Sequence, residues 1–380
     1  MILPDYIQNI EDKENTHVFV AMSGGVDSSV SAYLLKKAGF RVTGCFMTVW
    51  QPPFLDCSME SERQDAMRVA VQLGIDFKTV DLAEDYKTRV VDYMIAEYEA
   101  GRTPNPDVMC NGEIKFGAFF DWAEDRGADY VATGHYAQLR KSKVESRKSK
   151  VELVAGADEH KDQTYFMWQV LTERLEKTIF PIGHLEKSKV REIAAEAELP
   201  VADKKDSQGL CFLGQVDMPT FLAEFIDLEP GDVLNEAGDV IGTHAGSVVY
   251  TIGQRHGFSI QKKTPESGPW YVISKDVDAN TITVTENDNL SSTLYNCKGL
   301  TLPSTNWIGD VGELLENGKL SARIRYNQPL QKCTVKGVGG KDQVEVTFDQ
   351  PLRAVAVGQS CVVYDGERCL GGGIIGAVRS

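Results

Sequence analysis

The chain lacks an apolar run long enough to cross a membrane, although 42% of its 380 residues are hydrophobic. A spanning helix needs about 20 consecutive apolar residues. The first residues, MILPDYIQNIEDKENT, are acidic, without the basic-then-apolar pattern of a secretory signal or the arginine-rich pattern of a transit peptide. We therefore expect a cytoplasmic protein with no membrane partner.

Closely spaced cysteines are also missing. No CxxC pair occurs, which argues against a structural zinc site, and we predict no metal ligands among the site residues. In a reducing compartment most of the thiols should be buried, so a functional cysteine has to be identified from its neighbours. The eight cysteines are Cys45, Cys57, Cys110, Cys211, Cys297, Cys333, Cys361 and Cys369.

Positive charge is in deficit. The chain has 55 Asp and Glu against 40 Lys and Arg, a net charge of −15, which disfavours broad, nonspecific binding to nucleic acid. Basic residues concentrate locally, at 254–263 and 319–341, and such patches can bind RNA on an acidic protein. At 140–153 the segment RKSKVES is followed at once by RKSKVEL. We interpret this repeat as a basic, solvated hairpin extension, with an RNA contact as the alternative.

What the chain does contain is the string HVFVAMSGGVDSS at 17–29. Its start predicts a buried strand, its two glycines a sharp turn that a ligand can approach closely, and its end a helix whose free N–H groups face that turn. This arrangement predicts a phosphate site, with hydroxyl donors from Ser23, Ser28 and Ser29. Asp27 either caps the helix or reaches a magnesium ion. The string matches neither GxxxxGK[ST] nor GxGxxG.

Strand and helix patterns alternate in the first part of the chain. Strands are predicted at 18–20, 41–48, 77–82 and 129–133, and helices at 27–37, 60–73, 83–100, 113–126 and 187–199. This predicts an α/β fold with a doubly wound parallel sheet, which binds ligands at the carboxyl ends of its strands. Beyond about residue 219, glycine punctuation and alternating patterns predict β structure. We predict a catalytic domain at 1–219, a small β-rich domain at 220–287 and an antiparallel β-barrel at 288–380.

Two loops carry cysteines beside groups that can assist their chemistry. In RTPNPDVMCN (102–111) we predict that Pro104 and Pro106 forbid helix and stiffen the segment, so we expect Asp107 and Cys110 on a rigid, exposed connection. The carboxylate can manage protons for the thiol or for a substrate; an incidental cysteine in a capped loop is the equal alternative. In DKKDSQGLCFLG (203–214), Lys204 and Lys205 favour a thiolate at Cys211.

If the two cysteines meet, they allow a persulfide and a resolving thiol. With a carboxylate they could instead hold an iron–sulfur cluster. The sequence spacing of Cys110 and Cys211 does not show whether they meet or which of these two sites they form.

Six motifs occur in the order SGGVDSS, TPNPDxxCN, ATGHY, KDQTYF, DSQGLCF and YTIGQR. Together they resemble the tRNA-specific 2-thiouridylases, within the PP-loop (N-type) ATP pyrophosphatases, over about residues 17–375. The resemblance implies an adenine nucleotide alpha hydrolase-like fold and ATP-dependent 2-thiolation of the wobble uridine, position 34 of tRNA. ATP with Mg²⁺ would adenylate the base O2, and a cysteine persulfide would then deliver sulfur, releasing AMP and pyrophosphate.

The same resemblance implies roles for individual residues. Cys110 would be the nucleophile, Cys211 the persulfide carrier and Asp107 a general acid/base, and the two cysteines would form a disulfide after sulfur release. The ATP site would comprise Ala21, Met22, Ser23, Gly24, Gly25, Val26, Asp27, Ser28, Met47 and Gly134. The base would bind at Asn105, Pro106 and Asp107, and the tRNA at Lys161, Asp162, Gln163, Arg325 and Tyr326. Partners would be tRNA and a persulfide sulfur-donor protein, and we expect a monomer.

Other functions stay open on the pattern alone. An ATP pyrophosphatase that transfers nitrogen to a small carboxylate, or a non-catalytic RNA-binding module, would give the two cysteine loops no role. His135 is explained as well by packing as by contact with ATP. Arg325 and Tyr326 alternate on a predicted strand, where pattern alone makes them surface residues.

Overall fold

The computed structural model describes residues 3–54, 59–141, 151–206, 217–261, 268–286, 296–337 and 343–379. The predictions that concern Cys57, Cys211 and most of the 140–153 repeat lie outside these ranges. Below, the N-terminal region is 3–206, the central region 217–286 and the C-terminal region 296–379.

The N-terminal region is built on a parallel sheet. Its strands are β1 (His17–Ala21), β2 (Arg41–Thr48), β3 (Asp76–Asp81), β4 (Tyr130–Ala132), β5 (Ala137–Lys141), β6 (Val151–Ala155) and β7 (Thr178–Ile179). Five of them form the sheet in the order β3-β2-β1-β4-β7, and all their pairings are parallel. The predicted doubly wound α/β fold is therefore confirmed, with β7 as a strand that the patterns did not predict.

Helices connect these strands. They are α1 (Asp5–Gln8), α2 (Val26–Lys37), α3 (Met59–Leu73), α4 (Ala83–Tyr86), α5 (Tyr93–Glu99), α6 (Pro106–Met109), α7 (Phe119–Glu124), α8 (Thr172–Glu176) and α9 (Lys187–Glu196). Lys87–Asp92 and Cys110–Ala118 are π-helical, and Thr164–Met167 is a 3₁₀ helix. The helix predicted at 113–126 thus belongs to a helical stretch that begins at Pro106.

The central region begins with one short helix, α10 (Met218–Ala223), which is followed in the chain by a five-stranded sheet. Its strands are β8 (Gly231–Leu234), β9 (Val240–His244), β10 (Phe258–Ile260), β11 (Trp270–Asp276) and β12 (Thr281–Glu286), in the order β10-β9-β8-β12-β11. Apolar residues of this region share one core with the N-terminal region, and Val233 and Ile282 pack in the same cluster as Phe19. The two regions are therefore joined by a continuous core.

The C-terminal region is antiparallel. It comprises β13 (Asn296–Leu302), β14 (Thr305–Trp307), α11 (Gly312–Asn317), β15 (Leu320–Arg323), β16 (Gln331–Gly337), β17 (Val344–Arg353), β18 (Ser360–Asp365), β19 (Arg368–Ile374) and β20 (Ala377–Arg379). Its strands follow the order β20-β13-β17-β16-β15-β18-β19, with β14 paired to β19. The predicted β structure after the α/β part is confirmed.

One hairpin of the N-terminal region extends this C-terminal sheet. Strands β5 and β6 pair antiparallel, and β6 pairs with β19 through Leu153 opposite Cys369. The side chain of Leu153 is fully buried. The repeat was predicted to form a solvated extension; the strands at its flanks do form a hairpin, but the base of that hairpin is part of the core. No helix in the part of the chain that the structure describes is long and apolar enough to cross a membrane.

Candidate active site

The SGGVDSS turn lies between the end of β1 and the start of α2. Gly24 has a φ of +74°, in the left-handed region that favours glycine. A Cβ at Gly24 would lie 2.3 Å from the carbonyl oxygen of Glu62 on α3. The turn therefore requires glycine for both its backbone angle and its close packing.

Serine hydroxyls hold the turn together. The backbone N–H of Ser23 donates to Oγ of Ser28 at 3.1 Å, and the hydroxyl of Ser29 donates to the carbonyl of Gly25 at 2.7 Å. Ser28 and Ser29 are buried, whereas Ser23 is exposed at the mouth of the turn. Ser23 is thus the serine of this turn that is open to solvent.

Gly134 lies directly against this turn. It follows β4, and β1 is flanked by β2 on one side and β4 on the other, which makes this the switch point of the sheet. A Cβ at Gly134 would lie 2.7 Å from the backbone nitrogen of Ser28. Met47 lies near the carboxyl end of β2, at the same edge, and is buried. The structure therefore brings the predicted ATP-site residues to one edge of the sheet.

Asp27 is held by charge rather than by capping. The N-cap of α2 is Gly25 and has no side-chain cap, so the capping option for Asp27 was wrong. Its carboxylate accepts hydrogen bonds from Nζ of Lys187 at 2.7 and 2.9 Å and from the hydroxyl of Tyr136 at 2.9 Å. Burial and the Asp27 carboxylate raise the pKa of Tyr136, so this phenol stays a proton donor.

A second carboxylate, Asp206, shares the same lysine. Its oxygens contact Lys187 at 2.8 Å, Lys161 at 2.9 Å and Arg191 at 2.6 Å. Burial raises the pKa of Asp206, but the bonds from Lys187 and Lys161 lower it more, and the net pKa lies below the usual value. Asp206 is the last described residue before the stretch that contains Cys211.

The TPNPD segment is helical earlier than predicted. Asn105 is the N-cap of α6, and its Oδ1 accepts the backbone N–H of Val108 at 3.2 Å. Pro106 occupies the first helical position, where its missing N–H costs nothing because that group has no helical partner. The prediction that this proline forbids helix was therefore wrong, and Asp107 lies half-buried in the first turn.

Cys110 has no exposed surface and belongs to the core shared with the central region. The expectation of an exposed thiol was wrong, because the π-helical stretch that begins at this residue turns it inward. Five other thiols are buried as expected, and desolvation raises the pKa of each. That pKa reaches about 12 for Cys45, Cys333 and Cys369 and about 11 for Cys297, and it is also raised for Cys361.

The predicted tRNA contacts of the N-terminal region are partly engaged inside the protein. Asp162 is buried and forms an ion pair with Arg323 of the C-terminal region. The side-chain oxygen of Gln163 accepts the backbone N–H of Tyr136 at 3.0 Å. Lys161 is half-buried and pairs with Asp206.

Arg325 and Tyr326 lie in a turn after β15, not on a strand as predicted. Nη2 of Arg325 donates to the carbonyls of Ile252 at 3.0 Å and Ala354 at 2.7 Å. The ring of Tyr326 packs on that of Phe166, with centroids 4.5 Å apart. The sequence pattern missed the turn because its backbone depends on these contacts with distant segments.

A cleft of about 450 Å³ brings the two predicted tRNA-contact segments together. It is lined by Glu159, His160, Asp162, Arg323, Tyr326, Asn327, Gln328, Pro329 and Leu330. Both segments thus border one cavity, although they are more than a hundred residues apart in the chain.

His135 is packed rather than open to a ligand. Its Nδ1 lies 2.7 Å from Oγ1 of Thr133, and its ring contacts those of Phe116 and Phe180. Burial, and secondarily Lys115, lower the pKa of His135 well below the usual value, so it is neutral.

Sequence reasoning assigned no role to Lys187, Tyr136 or Asp206, which surround Asp27. Tyr136 and Asp206 do stand within the ATGHY and DSQGLCF motifs, and motif membership was the available signal. Among the residues that the structure describes, no group of three or more His, Cys, Asp or Glu side chains is placed to hold a metal ion.

The N-terminal region therefore belongs to the class of doubly wound α/β proteins, in which ligands bind at the switch point of the parallel sheet. A family model described as "tRNA methyl transferase HUP domain" matches residues 16–215. Models described as "tRNA methyl transferase PRC-barrel domain" and "Aminomethyltransferase beta-barrel domain" match 219–286 and 297–375.

Curated relatives match over nearly the whole chain. The "tRNA-specific 2-thiouridylase MnmA" of Ligilactobacillus salivarius is 45% identical over 96% of both chains. Proteins of the same name from Bacillus velezensis and Bacillus subtilis are 46% and 45% identical, with 95% of each chain covered. The chain belongs to the tRNA-specific 2-thiouridylase family and is an enzyme, which removes the reading as a non-catalytic RNA-binding module.

Proposed function

We propose that this enzyme uses ATP to replace O2 of the wobble uridine, position 34 of a tRNA, by sulfur. The observation that carries the proposal is the SGGVDSS turn packed against Gly134 at the switch point of the sheet, in a chain about 45% identical to full-length 2-thiouridylases. A carbonyl oxygen is a poor leaving group, and conversion to an AMP ester removes that obstacle.

In the first step the ATP phosphates bind at residues 21–28, with Met47 and Gly134 beside them. Asn105, Pro106 and Asp107 hold a base flipped out of its stack. The O2 atom attacks the α-phosphorus, the bond to pyrophosphate breaks, and Asp107 accepts the proton that the uridine ring loses. The exposed hydroxyl of Ser23 and the N-terminus of α2 stabilise the charge on the phosphates.

In the second step sulfur replaces the activated oxygen. The terminal sulfur of a persulfide on Cys211 attacks C2, the C2–O bond breaks, and AMP leaves with the former O2 atom. Cys110, which is buried in this structure, has to be uncovered for the next step. Its thiolate then attacks Sγ of Cys211, which breaks the sulfur–sulfur bond, leaves the sulfur on C2 and forms a Cys110–Cys211 disulfide. A thiol reductant supplies the two electrons that restore both thiols.

The proposed reaction also requires Mg²⁺, a sulfur donor and contacts with the tRNA. Mg²⁺ would bind mainly through the phosphates, as it usually does, with Asp27 as a protein ligand. A persulfide-carrying donor protein would load Cys211, and Lys161 and Arg325 would contact the tRNA phosphates. We propose a monomer that works in the cytoplasm.

The test incubates the protein with unmodified tRNA, ATP, magnesium and a persulfide-carrying donor protein, and then weighs the nucleosides after digestion. The proposal predicts a uridine heavier by the difference between sulfur and oxygen, formed only with ATP. AMP formation without tRNA and without a thionucleoside would favour adenylation of a small molecule. In a parallel incubation that also contains a methyl donor, a methylated nucleoside would favour the reaction named by the domain descriptions. Cys211→Ser should abolish thiolation while tRNA-dependent AMP formation largely persists.

A further inference from the structure

The segment that carries Asn105 and Asp107 starts from a junction of all three regions. The backbone N–H of Thr103 donates to the carbonyl of Val357 in the C-terminal region at 2.8 Å. The hydroxyl of Thr103 lies 3.2 Å from that of Thr251 in the central region. Thr103 and Pro104 are both buried. The first turn of α6 is therefore placed by residues remote from it in the chain.

Gln359 makes the most direct of these contacts. Its side-chain amide Nε2 donates to the carbonyl of Thr103 at 3.1 Å and to that of Pro104 at 2.9 Å. These carbonyls immediately precede Asn105, the N-cap of α6. One amide thus fixes two consecutive peptide groups at the entrance to the segment that would hold the base.

The loop around Gln359 is shaped for this contact. Gly358 has a φ of +93°, and a Cβ there would lie 2.8 to 3.0 Å from backbone atoms of Thr103. The loop is fixed to the barrel by the N–H of Gly358, which donates to Ile375, and by the carbonyl of Gln359, which accepts the N–H of Ile375 at 2.8 Å. The backbones of the two regions therefore approach as closely as glycine allows.

The next residue extends the contact into the N-terminal core. The hydroxyl of the buried Tyr165 donates to the carbonyl of Ser360 at 3.1 Å. The indole N–H of Trp168 donates to the hydroxyl of Ser360 at 3.0 Å. Four consecutive residues, 357–360, thus form hydrogen bonds or close contacts with the N-terminal region.

We propose that Gln359 is a positioning residue for the uridine-activation step. Its amide sets the position of Asn105 and Asp107 relative to the SGGVDSS turn. The C-terminal region therefore contributes to the chemistry and not only to tRNA binding. The proposal rests on the proposed function, since it assigns the 105–107 segment to the target base. Small displacements of a positioned group can lower a rate by about 100-fold.

The test compares Gln359→Glu with a matched control, Gln72→Glu. Gln72 also donates its amide to two carbonyls, those of Ala197 at 3.1 Å and Glu198 at 3.2 Å, but on the surface between α3 and the end of α9. Both substitutions preserve side-chain shape and remove the donor. Thr251→Val, which loses the hydroxyl facing Thr103 from the central region, is a second variant in case Gln359→Glu fails to fold.

Four quantities are measured for each variant: the thermal midpoint, the Kd for ATP, the Kd for tRNA, and the single-turnover rate of AMP formation with both substrates saturating. We expect Gln359→Glu to slow AMP formation at least about tenfold while both Kd values stay within about threefold of the wild type. Thr251→Val should slow it less, and Gln72→Glu should leave it unchanged.

An unchanged rate in Gln359→Glu would overturn the proposal. So would a defect that disappears when tRNA is raised to saturation, because Gln359 would then act in binding alone. Wild-type protein that forms no thionucleoside would instead contradict the proposed function, so the two failures are distinguishable.

Discussion

The ammonium group of Lys187 contacts both carboxylate oxygens of Asp27, at 2.7 and 2.9 Å. Lys187 begins α9, whereas Asp27 lies in the first turn of α2, so the ion pair joins two helices at the mouth of the SGGVDSS turn. The same ammonium contacts Asp206 at 2.8 Å. One cation thus bridges two carboxylates where the proposed function requires a polyanion to bind.

Lys187→Met should weaken ATP binding. Without the ammonium, Asp27 would lose its cation and repel the phosphates, while Asp206 would keep its pairs with Lys161 and Arg191. We expect the Kd to rise by about tenfold, or about 1.4 kcal/mol. Calorimetric titration with Mg-ATP at low and high salt measures the change. Lys189→Met is the control, because Lys189 lies on the same helix but pairs with the exposed Glu192. Equal affinities for the two variants would contradict the placement of the phosphates.

Gly134→Ala should destabilise the turn. Its Cβ would meet backbone atoms of Asp27 and Ser28 at 2.8 and 2.7 Å, and backbone cannot rotate away as a side chain can. We expect a loss of about 1–3 kcal/mol in the free energy of unfolding together with weaker ATP binding. Urea denaturation and the same titration measure both. Gly312→Ala, with nothing within 4 Å of its Cβ, should cost neither.

Asp162→Asn should lower stability more than it lowers tRNA affinity. Asp162 and Arg323 are almost completely buried, and breaking such a pair typically costs about 3–5 kcal/mol. The exposed pair of Lys161 with Asp206 is worth less than about 1 kcal/mol, so Lys161→Met should change tRNA binding at low salt with little effect on unfolding. Denaturation and filter binding separate the two effects, and the opposite ranking would contradict a structural role for Asp162.

Stability should fall below pH 6.5 because of His135. Burial lowers its folded-state pKa, so the unfolded state takes up a proton first as the pH drops. The stabilisation from keeping His135 neutral is complete above the pKa that His135 has in the unfolded state. Below that pKa it is lost by up to about 1.4 kcal/mol per pH unit. His135→Gln should flatten the dependence of the unfolding free energy between pH 7.5 and 5.5. His160→Gln, at an exposed site, should not.

Local patterns were sufficient for the parallel sheet and for the geometry of the SGGVDSS turn. The helix predicted at 27–37 is α2 within one residue, because its start follows from Gly24-Gly25 and its end from Gly39. What local patterns could not supply were contacts between distant segments. The pairing of Leu153 with Cys369 joins residues more than two hundred positions apart, and the patterns around β6 are the same whether or not its edge is covered.

The same limit applied to the candidate site. The motifs identified Asn105, Asp107 and Cys110, yet the burial of Cys110 depends on a core shared with the central region. The turn at Arg325 is set by two carbonyl contacts with Ile252 and Ala354 that no neighbouring residue reveals. Residue types therefore predicted the chemistry, and the tertiary fold decided which side chains are accessible.

The most direct test of the proposed chemistry follows one oxygen atom. A tRNA labelled with ¹⁸O at O2 of uridine 34 is incubated with the enzyme, unlabelled ATP, magnesium and a persulfide-carrying donor protein, and the AMP is weighed. If O2 is adenylated and then displaced by sulfur, each thiolated uridine yields one AMP that carries ¹⁸O. Thiolated uridine accompanied by unlabelled AMP would show that ATP activates something other than the base, and would contradict the account.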